Sequence, residues 1–146
     1  MNTLIACTVG VMVVIAPASG PDLTPYPWKN RILLVFSPTA ADPEFAAFNL
    51  NLTEKRREAE DRDLIVFRIL EKGSSRMAEQ PLSSEDAEAL RRNFRVKTGR
   101  FAVILIGKDG GIKMVREHRA ELQEIFDLID SMPMRQQEMM EKGKTR

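Results

Sequence analysis

The stretch Asn30 to Glu44, NRILLVFSPTAADPE, decides the fold of this 146-residue chain. Arg31 to Phe36 is apolar after its first residue and shows no alternation, which is typical of a strand that is covered on both faces of a sheet. A helix start follows: Asp42 can accept hydrogen bonds from free amides, Pro43 lacks an amide that would otherwise be unpaired, and Glu44 favours the positive helix end. The stretch predicts a central strand, a loop and a helix.

The residues that follow predict a second strand beside the first. The helix is expected to run to about Glu60, with an apolar face made by Phe45, Phe48 and Leu52. After it, Leu64 to Leu70 is a second buried strand. Because a strand, a long helix and another buried strand make a crossover connection, the two strands are expected to be parallel.

The second half of the chain predicts the rest of the sheet. Its elements in order are a polar loop (Glu71 to Pro81), a helix from Ser83 or Ser84 to about Phe94, a strand (Phe101 to Ile106), a turn (Asp109 to Gly111), a strand (Ile112 to Arg116) and a helix (Ala120 to Ser131) ended by Pro133. The turn makes the last two strands an antiparallel hairpin. The order βαβαββα predicts an α/β, thioredoxin-like three-layer sandwich with a four-stranded mixed sheet.

The chemistry usually attached to this fold is missing. A thioredoxin-like enzyme carries Cys-x-Pro-Cys where this chain has Ala41-Asp42-Pro43-Glu44, and its chemistry needs a thiolate at the start of the helix. The proline that usually precedes the third strand is also replaced, because Arg100 to Ala102 occupies that stretch. Thiol-disulfide exchange is therefore excluded unless Cys7, the single cysteine, takes part.

The first residues predict export. Met1 to Ala18 has no charged side chain, and Ala16-Pro17-Ala18 is an A-x-A site, so residues 1–18 are interpreted as a signal peptide cleaved after Ala18. A short membrane anchor or a buried strand is the alternative. Cleavage removes Cys7 and gives a periplasmic or secreted chain without cysteine, and without a membrane span because the apolar run is shorter than the ~20 residues that one needs.

The remaining boundaries follow from composition. Residues 19–30 form an irregular, proline-rich lead-in in which Tyr26 and Trp28 are expected to pack against the domain. Residues 31–138 form the thioredoxin-like domain, and residues 139–146 a polar, frayed tail. Met132 and Met134 could pack on the sheet or remain a soft binding surface.

Composition excludes several classes of function. The chain has 22 lysine and arginine residues against 21 acidic ones, so nothing resembles a basic nucleic-acid-binding face. His118 is the single histidine, which argues against multi-histidine metal sites. No cofactor is predicted. The oligomeric state is left open.

Several segments resemble a bacterial family called domain of unknown function 4174. They are FAVILIGKDGG (Phe101 to Gly111), DSMPMRQQEM (Asp130 to Met139), NRILLVFSP (Asn30 to Pro38) and DRDLIV (Asp61 to Val66). Related domains occur in animal sushi-repeat-containing and coiled-coil-domain secreted matrix proteins. The resemblance implies a thioredoxin- or peroxiredoxin-like fold without the redox cysteines, and it supplies no established activity.

Two hypotheses for function remain. The first is an exported, non-catalytic module that binds a protein or a cell-envelope component through the loop after strand one and the C-terminal segment. The alternative is an atypical non-thiol enzyme with its site at that same loop, where ligands of open sheets bind. The candidate binding residues are Asp42, Glu44, Lys108, Asp109, Arg135, Gln136 and Glu138.

Overall fold

A computed structural model describes residues 20–23 and 25–144. The interpretation of residues 1–18 as a signal peptide therefore falls outside the described residues. The elements, in chain order, are β1 (Arg31–Thr39), α1 (Pro43–Glu54), α2 (Arg56–Asp61), β2 (Leu64–Lys72), β3 (Ser75–Met77), β4 (Gln80–Leu82), α3 (Ser84–Asn93), β5 (Ala102–Ile106), β6 (Ile112–Arg116), α4 (Leu122–Ser131) and α5 (Pro133–Lys144).

The strands form one mixed sheet in the order β4-β3-β2-β1-β5-β6. β1 and β2 are parallel, with Ile32 opposite Ile65, as the crossover pattern predicts. β5 lies antiparallel to β1 on its other side, and β6 completes the predicted hairpin. β1 has a neighbouring strand on both sides and helices on both faces, and all its residues from Arg31 to Ser37 are buried.

Alternate side chains of β1 enter two hydrophobic cores, one on each face of the sheet. Leu33 and Val35 pack with residues of α1 and α4, among them Phe48 and Phe126. Ile32, Leu34 and Phe36 pack on the other face with α3. This arrangement confirms the three-layer α/β fold class.

The sheet has six strands, whereas the sequence predicted four. The additional strands β3 and β4 form a hairpin within the stretch expected to be a polar loop. Each is three residues long, and Pro81 lies in one of them, so neither shows the apolar run that marks a strand. The Ser75 hydroxyl accepts from the Leu70 amide at 2.8 Å and thereby holds β3 against β2.

The predicted first helix is divided into two. α1 ends at Glu54, and Lys55 separates it from α2 with φ −100° and ψ 25°. The Thr53 hydroxyl donates to the carbonyl of Asn49 at 2.9 Å, a local bond that bends helices.

Pro133 begins a helix and does not end the chain's regular structure, so the expectation of a frayed tail after residue 139 is wrong for residues 139–144. α4 stops at Ser131 because Met132 is extended, which is the conformation that a following proline requires. Proline is well suited to the first position of a helix, and α5 continues from there to Lys144.

The lead-in is only partly packed as expected. The Tyr26 ring lies edge-to-face on Phe67, with 5.7 Å between ring centroids. Trp28, however, is 68% exposed, which overturns its expected packing. Its backbone has φ 66° and its amide donates to the Lys108 carbonyl at 2.5 Å, so the bond that fixes this turn leaves the indole facing solvent.

Candidate functional site

The predicted site residues lie at two opposite ends of the sheet. Asp42 and Glu44 follow the carboxyl end of β1. The C-terminal candidates lie at the other end, because β5 runs antiparallel to β1 and pairs Ile106 with Ile32 near the start of that strand. A nine-residue strand separates the two groups by roughly 25 to 30 Å. Asp42 and Glu44 therefore share no single site with Lys108 or Arg135 in this structure.

At the carboxyl end of β1, the first turn of α1 occupies the place of a redox centre. The Asp42 carboxylate accepts from the Phe45 amide at 3.0 Å, so it caps the helix as predicted. Pro43 takes the first helical position. The side chain at the helix start thus satisfies a free amide, where a thiolate would be stabilised in an enzyme.

Glu44 faces a small group of charged side chains at the same end. Its Oε1 lies 3.7 Å from His118 Nδ1, and Arg100 Nη1 lies 3.5 Å from His118 Nε2. Glu44 Oε2 is buried and has no hydrogen-bond partner among the described residues. His118 and Arg100, neither of which was a candidate from sequence, therefore belong to this end.

Neither of the other redox elements is found in the part of the chain that the structure describes. That part contains no cysteine and no cis peptide bond, and Arg100 stands before Phe101 where a cis-proline would face a thiol. The Ser37 hydroxyl is buried and donates to the Thr39 carbonyl at 2.8 Å, so it is engaged and not poised as a nucleophile.

The opposite end of the sheet holds a network of charged side chains, which we call the C-terminal ion network. Its cations are Arg31, Arg62, Lys108, Arg135 and Lys142, and its carboxylates are Asp61, Asp63, Asp130 and Glu138. Arg31, Lys108 and Arg135 are buried. Burying such cations is unfavourable unless each has a carboxylate and further hydrogen bonds.

Glu138 is the centre of one half of this network. Its carboxylate accepts from Lys108 Nζ at 2.7 Å and from two Arg31 nitrogens at 3.2 and 3.3 Å. Lys108 also donates to Asp63 at 2.9 Å, and Arg31 to the Arg62 carbonyl at 2.8 Å. Glu138 thereby connects α5 to the start of β1 and to the end of β5.

Arg135 is the centre of the other half. It donates to the Asp61 carboxylate at 2.5 Å and to the Asp61 carbonyl at 2.8 Å, and it bonds Asp130 at 3.2 Å. Lys142 donates to the same Asp61 carboxylate at 2.9 Å. α5 is thus held to the end of α2 as well as to the sheet.

The network depresses the pKa values of its carboxylates. Hydrogen bonds from Lys142 and then Arg135 lower the pKa of Asp61 from 3.8 to about 2. Burial would raise the pKa of Glu138, but the hydrogen bonds and charges of Lys108 and Arg31 outweigh it, so that this pKa is lowered. Both carboxylates are ionised at neutral pH, as their ion pairs within the C-terminal ion network require.

Asp109 and Gln136 make local bonds. Asp109 accepts from the Gly111 amide at 3.0 Å and from Lys113 at 2.7 Å, which shapes the β5–β6 turn and lowers the pKa of Asp109, first through the Lys113 bond. The side-chain amide of Gln136 donates to the Asp130 carbonyl. Of the two methionines left open by the sequence, Met132 packs against the core and Met134 is exposed.

The sequence could not identify the other members of the network. Arg31 reads as the first residue of an apolar strand, and Asp61-Arg62-Asp63 as a helix end. Their one shared signal is a charge at the start of a buried strand, since Arg31 is the first residue of β1 and Asp63 directly precedes β2.

The described residues contain neither a metal-binding cluster nor a membrane-spanning helix. No group of three or more histidine, cysteine, aspartate or glutamate side chains is placed to hold a metal ion there. None of the helices within residues 20–144 that the structure describes has the length and apolar character to cross a membrane.

Fold and site together define a protein of the thioredoxin-fold class in which the start of the first helix carries a carboxylate cap. Solved structures agree with that fold. The reduced 2-Cys peroxiredoxin of Plasmodium vivax superposes with a TM-score of 0.62 at 15% identity, covering 79% of this chain and 84% of that one. The exposed lipoprotein thioredoxin Etrx1 of Streptococcus pneumoniae gives a TM-score of 0.52 at 14% identity, covering 75% and 89%.

The chain belongs to the family described as domain of unknown function DUF4174, whose model matches residues 22–138. It is also 25% identical over 133 residues to the coiled-coil domain-containing protein 80 of Danio rerio. That match covers 80% of this chain but only 15% of the zebrafish protein. The resemblance stated from the sequence is confirmed at the level of family and fold.

Proposed function

We propose that this protein is an exported, non-catalytic thioredoxin-fold module that binds a protein or a cell-envelope component through the loop after β1. One observation carries the proposal: Asp42 caps α1 at the place where a thioredoxin-like enzyme needs a thiolate. The fold keeps the exposed surface around that place and lacks the chemistry.

The surface around the loop suits a partner. Ala40, Ala41 and Pro43 are exposed and short, so another chain can approach the backbone closely. Glu44 lies beside them with one carboxylate oxygen that no described residue bonds. The Glu44 side chain as a whole is 40% exposed, so a cation from a partner could pair with its carboxylate.

The C-terminal segment is excluded from the proposed surface. Arg135 and Glu138 use their charged groups within the C-terminal ion network, and Lys108 does the same. A partner that bound them would first have to break buried ion pairs, which is strongly unfavourable. Their role is to attach α5 to the domain.

Export is supported by the sequence of residues 1–18, with its uncharged apolar run and its A-x-A site. Cleavage after Ala18 would leave a chain without cysteine, which agrees with a role in binding. Non-catalytic binding and an oxidising compartment are compatible, because such a chain has no thiol to oxidise.

Photo-crosslinking tests the proposed surface directly. A photoreactive amino acid replaces Ala41 in the loop or, as the control, the exposed Gln137 of α5 at the other end of the sheet. Each variant is expressed in a bacterium whose genome encodes this protein, so that its natural partners are present, and the cells are then irradiated. The proposal expects a discrete adduct from position 41 that is absent from position 137.

The same experiment can contradict the proposal. Identical adducts from both positions would indicate non-specific contact, and no adduct from either would indicate that the loop binds nothing. A disruptive variant, Ala41→Arg, should remove binding while its thermal unfolding stays that of the unchanged chain, because this side chain is exposed.

A further inference from the structure

A concave surface lies on the α1 face of the sheet, away from the loop after β1. This pocket of about 430 Å³ is bounded by α1, α2, β2 and β3. Its floor includes Leu52, Ala59 and Val66, and its polar groups include Arg56, Arg68 and Arg76. An apolar floor with a few convergent polar groups is typical of small-molecule sites.

Arg68 occupies a position that the sheet otherwise gives to apolar residues. Leu64, Val66 and Leu70, which share its face of β2, pack in or against the core beside α1. Arg68 is half-buried in the same row. Placing an arginine there costs free energy, because its charged group loses contact with water; an apolar residue would not incur this cost.

The contacts of Arg68 do not neutralise it. Its Nε donates to Asn49 Oδ1 at 2.6 Å, which fixes the orientation of the guanidinium. Within the described residues, no carboxylate comes within ion-pair distance of it. Burial lowers the pKa of Arg68 and the charge of Arg76 lowers it further, while Glu79 acts in the opposite direction.

A second arginine stands directly opposite the first. Arg76 of β3 is the cross-strand partner of Arg68, so both side chains leave the sheet on the same face. Like charges in directly opposed positions are destabilising. The Arg76 guanidinium donates to the Glu79 carbonyl at 2.7 Å and forms a 3.7 Å ion pair with the exposed Glu79 carboxylate.

The charges around the pocket leave it positive. Arg56 at the rim pairs with Glu60 at 2.8 Å, and both of these side chains are exposed. With Arg68 and Arg76, three arginines line the pocket against two glutamates, Glu60 and Glu79. The charge without an ion-pair partner among the described residues is that of the half-buried Arg68.

We propose that this pocket binds a small organic anion, whose carboxylate or phosphate group lies between Arg68 and Arg76 and whose body rests on the apolar floor. Arginine suits this task because its planar donors match both oxyanions in two-point hydrogen bonding. Asn49 holds Arg68 in place beforehand. A bound oxyanion would lie between the two opposed charges and offset their repulsion.

The site is independent of the proposed function, because it uses other residues on another part of the surface. Binding is measured by calorimetry and by thermal unfolding of the purified chain at low ionic strength. The probes are inorganic phosphate, phenyl phosphate and benzoate. Saturable binding of an aromatic probe, with a rise in the unfolding temperature, is the expected result.

Two variants and one control locate the site. Arg68→Gln and Arg76→Gln should each weaken the bound probe by about tenfold or more, because each removes charged hydrogen bonds. Arg92→Gln is the matched control: it removes the same charge from an exposed pair with Glu88 on α3, and it should change affinity less than twofold, about the effect of screened surface charge.

If Arg68→Gln fails to fold, Arg76→Gln still tests the proposal, because Arg76 is exposed and lies in a short hairpin at the edge of the sheet. The preferred probe distinguishes phosphate from carboxylate recognition. No saturable binding of any probe would overturn the proposal. Equal weakening by Arg92→Gln would also overturn it, since binding would then follow net charge alone.

Discussion

Arg31 and Glu138 are separated by 107 positions in the chain and form an ion pair with two hydrogen bonds, at 3.2 and 3.3 Å. Arg31 begins the central strand, and Glu138 lies in the last helix. The Arg31 side chain is 1% exposed and that of Glu138 20% exposed. The pair therefore attaches α5 to the central strand of the sheet. This contact gives a structural role to a charged residue of the segment DSMPMRQQEM, which resembles the family.

Glu138→Gln should destabilise the protein more than a surface change does. It leaves Arg31 and Lys108 buried without their shared carboxylate, and we expect the free energy of unfolding to fall by about 3 kcal/mol. Urea unfolding measures it. The control Glu88→Gln removes an exposed partner of Arg92 and should cost less than about 0.5 kcal/mol. Equal effects of the two changes would contradict the role of the network.

Stability should fall in acid through the same network. The folded pKa of Asp61, about 2, and that of Glu138 lie below their ordinary values of 3.8 and 4.5. Such groups stabilise the folded state above the ordinary value, and this stabilisation is lost as pH falls through the folded one. The free energy of unfolding should therefore decline from about pH 5 towards pH 2.

Asp61→Asn tests the assignment of this pH dependence. It should flatten the acid decline and remove part of the stability at pH 7, with less effect in high salt because Asp61 is half-exposed. Chemical unfolding at a series of pH values provides the measurement. A decline that is unchanged in the variant would place the titrating group elsewhere.

Asp42→Ala should cost about 1 kcal/mol of unfolding free energy, because it removes the cap on the Phe45 amide. Asp42→Ser should retain most of the stability, since a hydroxyl can accept the same bond. Denaturant unfolding of both variants makes the comparison. Equal stability of the alanine variant and the unchanged chain would mean that Asp42 does not cap α1.

Trp28 should fluoresce as a solvated indole. It is the single tryptophan and is 68% exposed, so its emission should lie close to that of tryptophan in water, be accessible to iodide, and shift little on unfolding. Emission spectra of the folded and unfolded chain check this. A large shift of the emission to longer wavelength on unfolding would indicate that Trp28 is buried in the folded protein and would contradict the prediction.

The sequence predicted the parts of the fold that depend on long apolar runs. β1, β2 and β5 are such runs, and each lies where it was expected. The strands β3 and β4 were missed because they are short and polar, and they are held by pairing that no local pattern encodes. Pro133 was correctly predicted to end α4, but the helix that it begins was missed, because proline is suited both to ending one helix and to beginning another.

The sequence predicted the local contacts of the candidate residues better than their arrangement in space, and their role in binding stays a prediction. Asp42 caps its helix as predicted, since capping is a local property. That Lys108 and Glu138 bind each other, and not the loop after β1, follows from the antiparallel course of β5. Arg68 and Arg76 were not singled out, because their opposition exists only once β3 pairs with β2.

We propose that the protein works outside the cytoplasm as a chain without a thiol. The most direct test is the intact mass of the full-length protein, expressed in a diderm bacterium and recovered from separated periplasm and cytoplasm, together with a thiol titration. We predict a periplasmic or secreted form that begins at Ser19 and has no titratable thiol. An uncleaved cytoplasmic form that keeps Cys7 would contradict the account and would return thiol chemistry to consideration.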